Sequence, residues 1–179
     1  MRSTYSRPGF RRAACALAVG LTLATTSGCG ASFDGVTGIS VAADGGLLGV
    51  IMVCGHDITS AGLIREDDQE SRRIGEWAPD RPLKAGLTTW SLDSPTPGWT
   101  TAQPPEPLAD ATAYRLVGWT DDVSWSARSV DFTTADRDRL RPGRVLYEDY
   151  SKDGEALVRL VPLSEFEATA CDARSTTLW

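Results

Sequence analysis

The chain has 179 residues, with 18 lysine and arginine residues against 24 aspartate and glutamate residues, for a formal net charge of −6. This length suits one domain with its own core, and an acidic chain without a basic stripe argues against nucleic-acid binding. Its single histidine, His56, excludes every metal site or proton relay that needs two imidazoles.

The N-terminal segment has the three-part layout of a secretory signal. Residues 1–12 carry four arginines and no acid, residues 13–25 form an uncharged apolar run, and small residues lead from there to Cys29. A run of about 13 residues is too short to cross the ~30 Å hydrocarbon layer, which takes about 20 helical residues. Residues 1–28 are therefore predicted to be a signal peptide, and the remainder holds 14 basic against 24 acidic residues, a net charge of −10.

Ser27, Gly28 and Cys29 resemble the lipobox of bacterial lipoproteins, in which small residues precede a cysteine. The resemblance implies that Cys29 becomes the mature N-terminus and carries fatty acyl chains such as palmitate. The mature chain would then be held at the outer face of the cell membrane, because two acyl chains anchor a protein far more firmly than one. The alternative is an ordinary cleavable signal that leaves Cys29 as a spare thiol. Arg11 and Arg12 leave open whether export follows the general or the twin-arginine route.

If Cys15 is removed with the signal and Cys29 is acylated, two cysteines remain for the mature domain. These are Cys54 and Cys171, and thiols outside the cytoplasm are commonly oxidised. They are predicted to form one disulfide. The alternative is a metal-binding or nucleophilic Cys54 next to His56, but no paired ligand spacing accompanies it. His56 is then predicted to be a turn residue after a strand.

The mature chain is predicted to begin with a lipidated N-terminus and short tether at 29–35, followed by one domain at 36–179. From Val36 onward the apolar residues alternate with period two and turn dipeptides interrupt them, which is typical of strands. The predicted strands cover 36–41, 47–54, 58–64, 74–78, 87–92, 113–119, 123–132, 145–148 and 156–161. Residues 94–107 contain five prolines, so they are predicted to form a surface loop, because each proline removes a donor from a sheet.

Two further patterns refine this prediction. Apolar residues change parity within 123–132, which predicts a bulge near Arg128 and Ser129. Thr133 with Asp136 and Ser164 with Glu167 have the spacing of a capping box, so each is predicted to begin a short helix. The fold class is therefore all-β, a single β-sandwich with one or two short helices, and an immunoglobulin-like topology is one form open to it.

Several stretches of the domain resemble uncharacterised secreted and lipoprotein families of actinobacteria. They are an Asp-Gly hairpin before a strand that ends at Cys54, the Ser-Trp-Ser-Ala strand at 124–127, the Leu-x-Pro-Gly-x-Val-Leu stretch at 140–146 and the Ala-Cys pair at 170–171. The resemblance implies an extracytoplasmic location and a similar fold. It implies no activity, since these families have none assigned.

Familiar catalytic motifs are not found. Ser-His-acid catalysis would depend on His56, and no Gly-x-Ser-x-Gly elbow is present. Acidic pairs occur at 67–68, 121–122 and 148–149, and they are interpreted mainly as solvated turns. No catalytic residue, metal ligand or cofactor is assigned, and weak calcium binding by these turns is left open.

The tryptophans divide into two groups. Three lie in strand-like alternation and are predicted to be in the core: Trp77, Trp90 and Trp125. Trp99 and Trp119 are better placed for exposure, and with Asp121 and Asp122 they could form a face that binds a glycan or a peptide. The alternative is that both rings fold back and cover an edge of the sandwich.

Two functions follow as expectations. The first is a membrane-anchored extracytoplasmic lipoprotein with a non-catalytic binding or envelope-structural role, whose partner is an envelope protein or glycan of unknown identity. The second is an extracytoplasmic hydrolase that depends on carboxylates, which needs two carboxyl groups facing each other across a cleft.

Overall fold

The computed structural model describes residues 32–67, 70–150 and 155–172. The predicted signal peptide, Cys29 and the predicted turn at 151–154 lie outside these residues. The described residues form eleven strands: β1 (Ser32–Val41), β2 (Leu47–Val53), β3 (Ser60–Glu66), β4 (Ser71–Pro79), β5 (Gly86–Ser91), β6 (Trp99–Gln103), β7 (Ala113–Trp119), β8 (Trp125–Arg128), β9 (Val130–Phe132), β10 (Arg144–Tyr150) and β11 (Ala156–Pro162). Two short helices accompany them, α1 (Thr134–Arg139) and α2 (Leu163–Thr169). The predicted all-β class with short helices is confirmed.

Strand β1 is the centre of the sheet because it has neighbours on both edges. One edge pairs with β2, and the sheet continues from β2 to β5. The other edge pairs with β8 and then with β10, and from β8 the order runs through β7, β3 and β4 to β6. Between the two end strands, Trp90 of β5 and Trp99 of β6 stack with ring centroids 4.5 Å apart. The sheet is therefore nearly closed around its core and has a sandwich-like form.

The main core lies inside this nearly closed sheet and follows the period-two pattern of the strands. In β3, for example, Ala61 and Leu63 are fully buried, while Gly62 between them lies on the other face. Trp77 and Trp90 are buried here as predicted. Trp125 is only half-buried, because it lies at the end of the sheet where β8 begins.

A second apolar cluster forms where α2 packs against the sheet. Phe166 of α2 is fully buried and its ring contacts that of Tyr147 at 5.0 Å between centroids. The predicted disulfide is confirmed: Cys54, directly after β2, is bonded to Cys171, two residues after α2, with their Cα atoms 5.6 Å apart. The disulfide therefore ties the end of α2 to the sheet.

Three local predictions were wrong in ways that packing explains. Strand β1 begins at Ser32 rather than at Val36, because its first residues pair with β8, so 32–35 belong to the sheet and not to the tether. The proline-rich stretch contains β6, which is tolerated because β6 pairs only with β4 and an edge strand has ladder donors to spare. Helix α2 has Pro162 as its N-cap and no side-chain cap, so the predicted box at Ser164 does not form.

Two other local predictions are confirmed. The capping box of α1 has both of its hydrogen bonds, between Thr133 and Asp136. The parity change in 123–132 is real as well: β8 ends at Arg128 and β9 begins at Val130, with the register against β1 shifting there.

Candidate functional site

A cleft opens where one edge of β1 changes its partner. Val36 of β1 pairs with Arg128 of β8 in the parallel sense, whereas Gly38 pairs with Tyr147 of β10 in the antiparallel sense. Two strands thus share one edge, and beyond Tyr147 strand β10 continues alongside β11 without pairing with β1. The space beside this fork has a volume of about 400 Å³, and we call it the fork cleft.

The fork cleft is polar and carries both signs of charge. Its lining residues are Val36, Arg128, Tyr147, Glu148, Asp149, Tyr150, Arg159, Glu165, Thr169, Ala170 and Asp172. Arg159 is engaged by Asp149, with 2.8 Å between Nε and Oδ2. Helix α2 supplies one wall through Glu165 and Thr169. Acidic groups outnumber the basic ones, so the cleft is suited to a neutral or cationic polar ligand.

Glu148 is the most buried charged group of the fork cleft, with 9% of its surface exposed. Its Oε1 accepts a hydrogen bond from the backbone N–H of Asp131 at 3.1 Å, and its Oε2 accepts one from the hydroxyl of Tyr150 at 3.4 Å. The side chain thereby takes the place of a ladder bond between β9 and β10. Burial is the main cause that raises the pKa of Glu148 above its ordinary value, and the nearby charge of Asp131 adds to it.

The polar row continues from Glu148 across three further strands. Arg115 of β7 donates two hydrogen bonds to the carboxylate of Asp131, at 2.8 and 2.9 Å. Arg115 also lies 3.0 Å from the carboxylate of Glu66 on β3. The hydrogen bonds to Asp131 raise the pKa of Arg115 above its usual value, so this guanidinium stays charged and compensates the two acids beside it.

Arg128 stands between two aromatic rings at the mouth of the fork. Its guanidinium carbon lies 4.9 Å from the ring centroid of Tyr150 and 6.0 Å from that of Phe33. These distances are within the range of cation–π attraction. Burial raises the pKa of Tyr150, and the adjacent Glu148 adds to the shift, so the phenol remains a hydrogen-bond donor at neutral pH.

The acidic pair Glu148 and Asp149 does not form two facing carboxyl groups. Successive side chains of a strand point to opposite faces, and the contacts agree, since Glu148 reaches β9 whereas Asp149 reaches Arg159 on β11. The carboxyl group on the same side as Glu148 is that of Asp131, whose charge acts on it.

The predicted aromatic face does not come together. Trp99 stacks on the core residue Trp90, whereas Trp119 lies on the outer face, where a Cβ added to Gly62 would be 2.6 Å from its ring. The guanidinium of Arg73 covers Trp119 at 4.9 Å. Both rings fold back on the sheet, which is the alternative set out above.

The two acids of that predicted face lie in the turn between β7 and β8. Asp121 is exposed. Asp122 fixes its own turn by accepting hydrogen bonds from the Thr120 hydroxyl at 2.6 Å and from the Ser124 N–H and hydroxyl at 3.1 and 2.7 Å. These bonds, the one from Thr120 first, lower the pKa of Asp122 to about 2.

His56 forms a pair that the sequence did not predict. Its Nδ1 lies 2.6 Å from Oδ2 of Asp34, and its ring stacks on Trp125 with centroids 3.7 Å apart. The Asp34 side chain is buried, while 52% of the His56 side chain is exposed. Cys54, its near neighbour in sequence, is held in the disulfide and supplies no thiol to this pair.

Neither metal-binding clusters nor membrane-spanning helices occur among the described residues. No group of three or more histidine, cysteine, aspartate or glutamate side chains is arranged there to hold a metal ion. No helix in the same part of the chain is long and apolar enough to cross a membrane.

No protein-family model, curated protein or solved structure matches the chain. The resemblance to secreted actinobacterial families therefore stays a prediction, and the argument for function depends on the geometry of the fork cleft.

Proposed function

We propose that the protein is a lipoprotein, anchored through Cys29 at the outer face of the cell membrane, that binds an envelope component in the fork cleft without transforming it. The lipobox-like Ser27, Gly28 and Cys29 support the anchor. The disulfide supports an oxidising compartment. The observation that carries the binding role is the cleft itself, a concave site with several convergent polar groups.

The lining of the cleft favours a ligand with amino groups. Arg159 is neutralised by Asp149, whereas Glu165 and Asp172 add negative charge on the helix side. An ammonium group would be attracted by these carboxylates and would be placed beside the hydroxyl groups of the tyrosines. We infer that the ligand is a segment of an envelope protein or glycan that carries amino groups.

Binding is tested with two probes, a lysine-containing peptide and a glucosamine oligomer, titrated into the purified protein by calorimetry. The double variant Glu165→Gln/Asp172→Asn is expected to weaken binding of the recognised probe about tenfold, because each charge-assisted contact contributes about 1 kcal/mol or more. Asp138→Asn, exposed on α1, is the matched control and leaves the affinity unchanged. Equal affinities in all three proteins contradict the fork cleft as the binding site.

The anchor has a separate test. Cys29→Ser is expected to release the protein from the membrane fraction into the medium, since the acyl chains are lost with the sulfur. Continued retention in the membrane contradicts acylation at Cys29.

A hydrolase is the second candidate, favoured by one observation. Glu148 has a raised pKa, as a general acid requires, and Asp131 lies on the same side of the strand. Incubation with glycan and ester substrates distinguishes the two functions. Turnover that Glu148→Gln abolishes favours the hydrolase, whereas probe binding without turnover supports the binding protein.

A further inference from the structure

Two exposed apolar side chains lie at one end of the sheet. Phe33 is 58% exposed and Val123 is 64% exposed. Among the described residues the other large exposed apolar side chains are Leu157 and Val158, both on the edge strand β11. We call Phe33 and Val123 the apolar tip.

The apolar tip lies where the chain enters the sheet from Cys29. Strand β8 runs parallel to β1 with Trp125 opposite Ser32, and the Ser32 N–H donates to the carbonyl of Ser124 at 3.1 Å. The residues that precede β8 therefore lie at the same end of the sheet as the residues that precede β1. Val123, one residue before Ser124, is at this end.

Val123 is held in a conformation that its side chain disfavours. Its φ is 51°, in the left-handed region that β-branched residues rarely occupy. The turn is fixed by other residues, because Asp122 holds Ser124 and the Val123 N–H donates to the carbonyl of Thr120 at 2.9 Å. Glycine or asparagine would fit this backbone better, so folding does not account for an exposed valine here. Backbone strain of this kind concentrates at functional positions.

We propose that the apolar tip inserts into the membrane interface and orients the anchored domain. The proposal rests on acylation of Cys29, which lies three residues before Ser32. Three extended residues span at most about 11 Å, which is comparable to the depth of the interface that amphipathic segments occupy. The apolar tip is therefore within reach of the bilayer whenever the anchor is inserted.

The energies suit a tethered contact rather than an independent one. Two apolar side chains, already partly covered, contribute at most about 1.5–3 kcal/mol each on insertion. That is too little to hold a free protein at a membrane, but the lipid anchor keeps the tip at millimolar effective concentration. Arg128, 6.0 Å from the Phe33 ring, is placed to contact lipid phosphate groups.

The test uses the acylated protein reconstituted into phosphatidylcholine vesicles, because the body's charge of −10 would oppose a strongly anionic surface. A nitroxide is attached to Val123→Cys, and the control label is attached to Ala43→Cys. Ala43 is exposed in the turn after β1, about 33 Å away at the other end of that strand. Cys54 and Cys171 are bonded to each other and the acylated Cys29 does not react, so each variant offers one thiol for labelling.

Electron paramagnetic resonance then compares the accessibility of each label to oxygen and to a water-soluble nickel complex. The oxygen-to-nickel ratio is expected to be about fivefold higher or more at position 123 than at 43 when position 123 is inserted. Equal ratios in vesicle-bound protein that carries its acyl chains overturn insertion of the tip and leave the anchor intact. Mass analysis that finds no acyl chains on Cys29 overturns the anchor and the tip together.

Discussion

The carboxylate of Asp34 receives two contacts from one residue, His56. Its Oδ2 accepts the backbone N–H of His56 at 2.7 Å and lies 2.6 Å from the imidazole Nδ1. An ionised carboxylate can only accept, so this arrangement places the imidazole proton on Nδ1 and leaves Nε2 as the outward nitrogen. The backbone carbonyl of Asp34 accepts from Cys54 at 2.9 Å, so Asp34 organises the whole segment between β2 and the disulfide.

Removing the Asp34 carboxylate is expected to destabilise the fold. Asp34→Ala leaves the His56 N–H without its acceptor and should lower the free energy of unfolding by about 2–3 kcal/mol. Asp44→Ala is the matched control, because that carboxylate accepts one exposed hydrogen bond from Gly46. Urea unfolding with the disulfide intact measures both. A loss no greater than that of the control would show that the pair contributes little to stability.

Gly55 is tied to the same carboxylate by its lack of a side chain. A Cβ at this position would lie 2.2 Å from Oδ2 of Asp34, so Gly55→Ala must displace either the loop or the buried acid. We expect a loss of about 1–3 kcal/mol. Gly46→Ala is the control, since its Cβ would lie 3.3 Å from the exposed Asp44. Thermal unfolding compares them, and equal melting temperatures contradict the predicted clash.

The Asp34–His56 pair shows where prediction from the sequence ends. Period-two patterns place strands, capping boxes and the bulge near Arg128, because those depend on neighbours along the chain. The contact between Asp34 and His56 instead depends on the pairing of β1 with β2, which no local pattern specifies. The disulfide was predictable because only Cys54 and Cys171 remained to pair.

The fork cleft had one signal in the sequence. In the strand predicted at 145–148, Leu146 and Glu148 share a face by alternation, and Leu146 belongs to the main core. A glutamate at that parity indicates a buried, hydrogen-bonded carboxylate. Its partners Asp131 and Tyr150 could not be inferred, because they depend on β9 and β10 lying side by side.

Relieving the strain at Val123 is expected to stabilise the protein. Val123→Asn should raise the free energy of unfolding by about 1 kcal/mol, since asparagine tolerates the left-handed region. Val158→Asn is the control, because Val158 is comparably exposed but lies in strand β11, where the change should be neutral or slightly destabilising. Urea unfolding of the two variants is the measurement. A stability gain at both positions would point to a general effect of removing exposed valine.

The disulfide is expected to contribute a large part of the stability. It closes a loop with a sequence separation of 117 residues, for which the chain-entropy model gives roughly 4–5 kcal/mol. The double variant Cys54→Ser/Cys171→Ser should therefore unfold at a markedly lower urea concentration. Reduction of the native protein should reproduce the shift and release two thiols, and two reactive thiols before reduction would contradict the bond.

Glu148 is expected to give stability a pH dependence of a defined sign. Because burial raises its pKa in the folded state above the unfolded value, the folded protein holds the proton more tightly than the unfolded chain. Its contribution is most favourable below the unfolded pKa and is lost as the pH rises through the folded pKa. Glu148→Gln keeps an oxygen that can accept the Asp131 N–H and carries no charge, so the variant should gain on the native protein between pH 4 and pH 7, by about 1 kcal/mol or less. Glu167→Gln, exposed on α2, is the control. Unfolding at a series of pH values measures the difference, and parallel pH profiles for the native protein and Glu148→Gln would mean that the buried carboxylate titrates alike in both states.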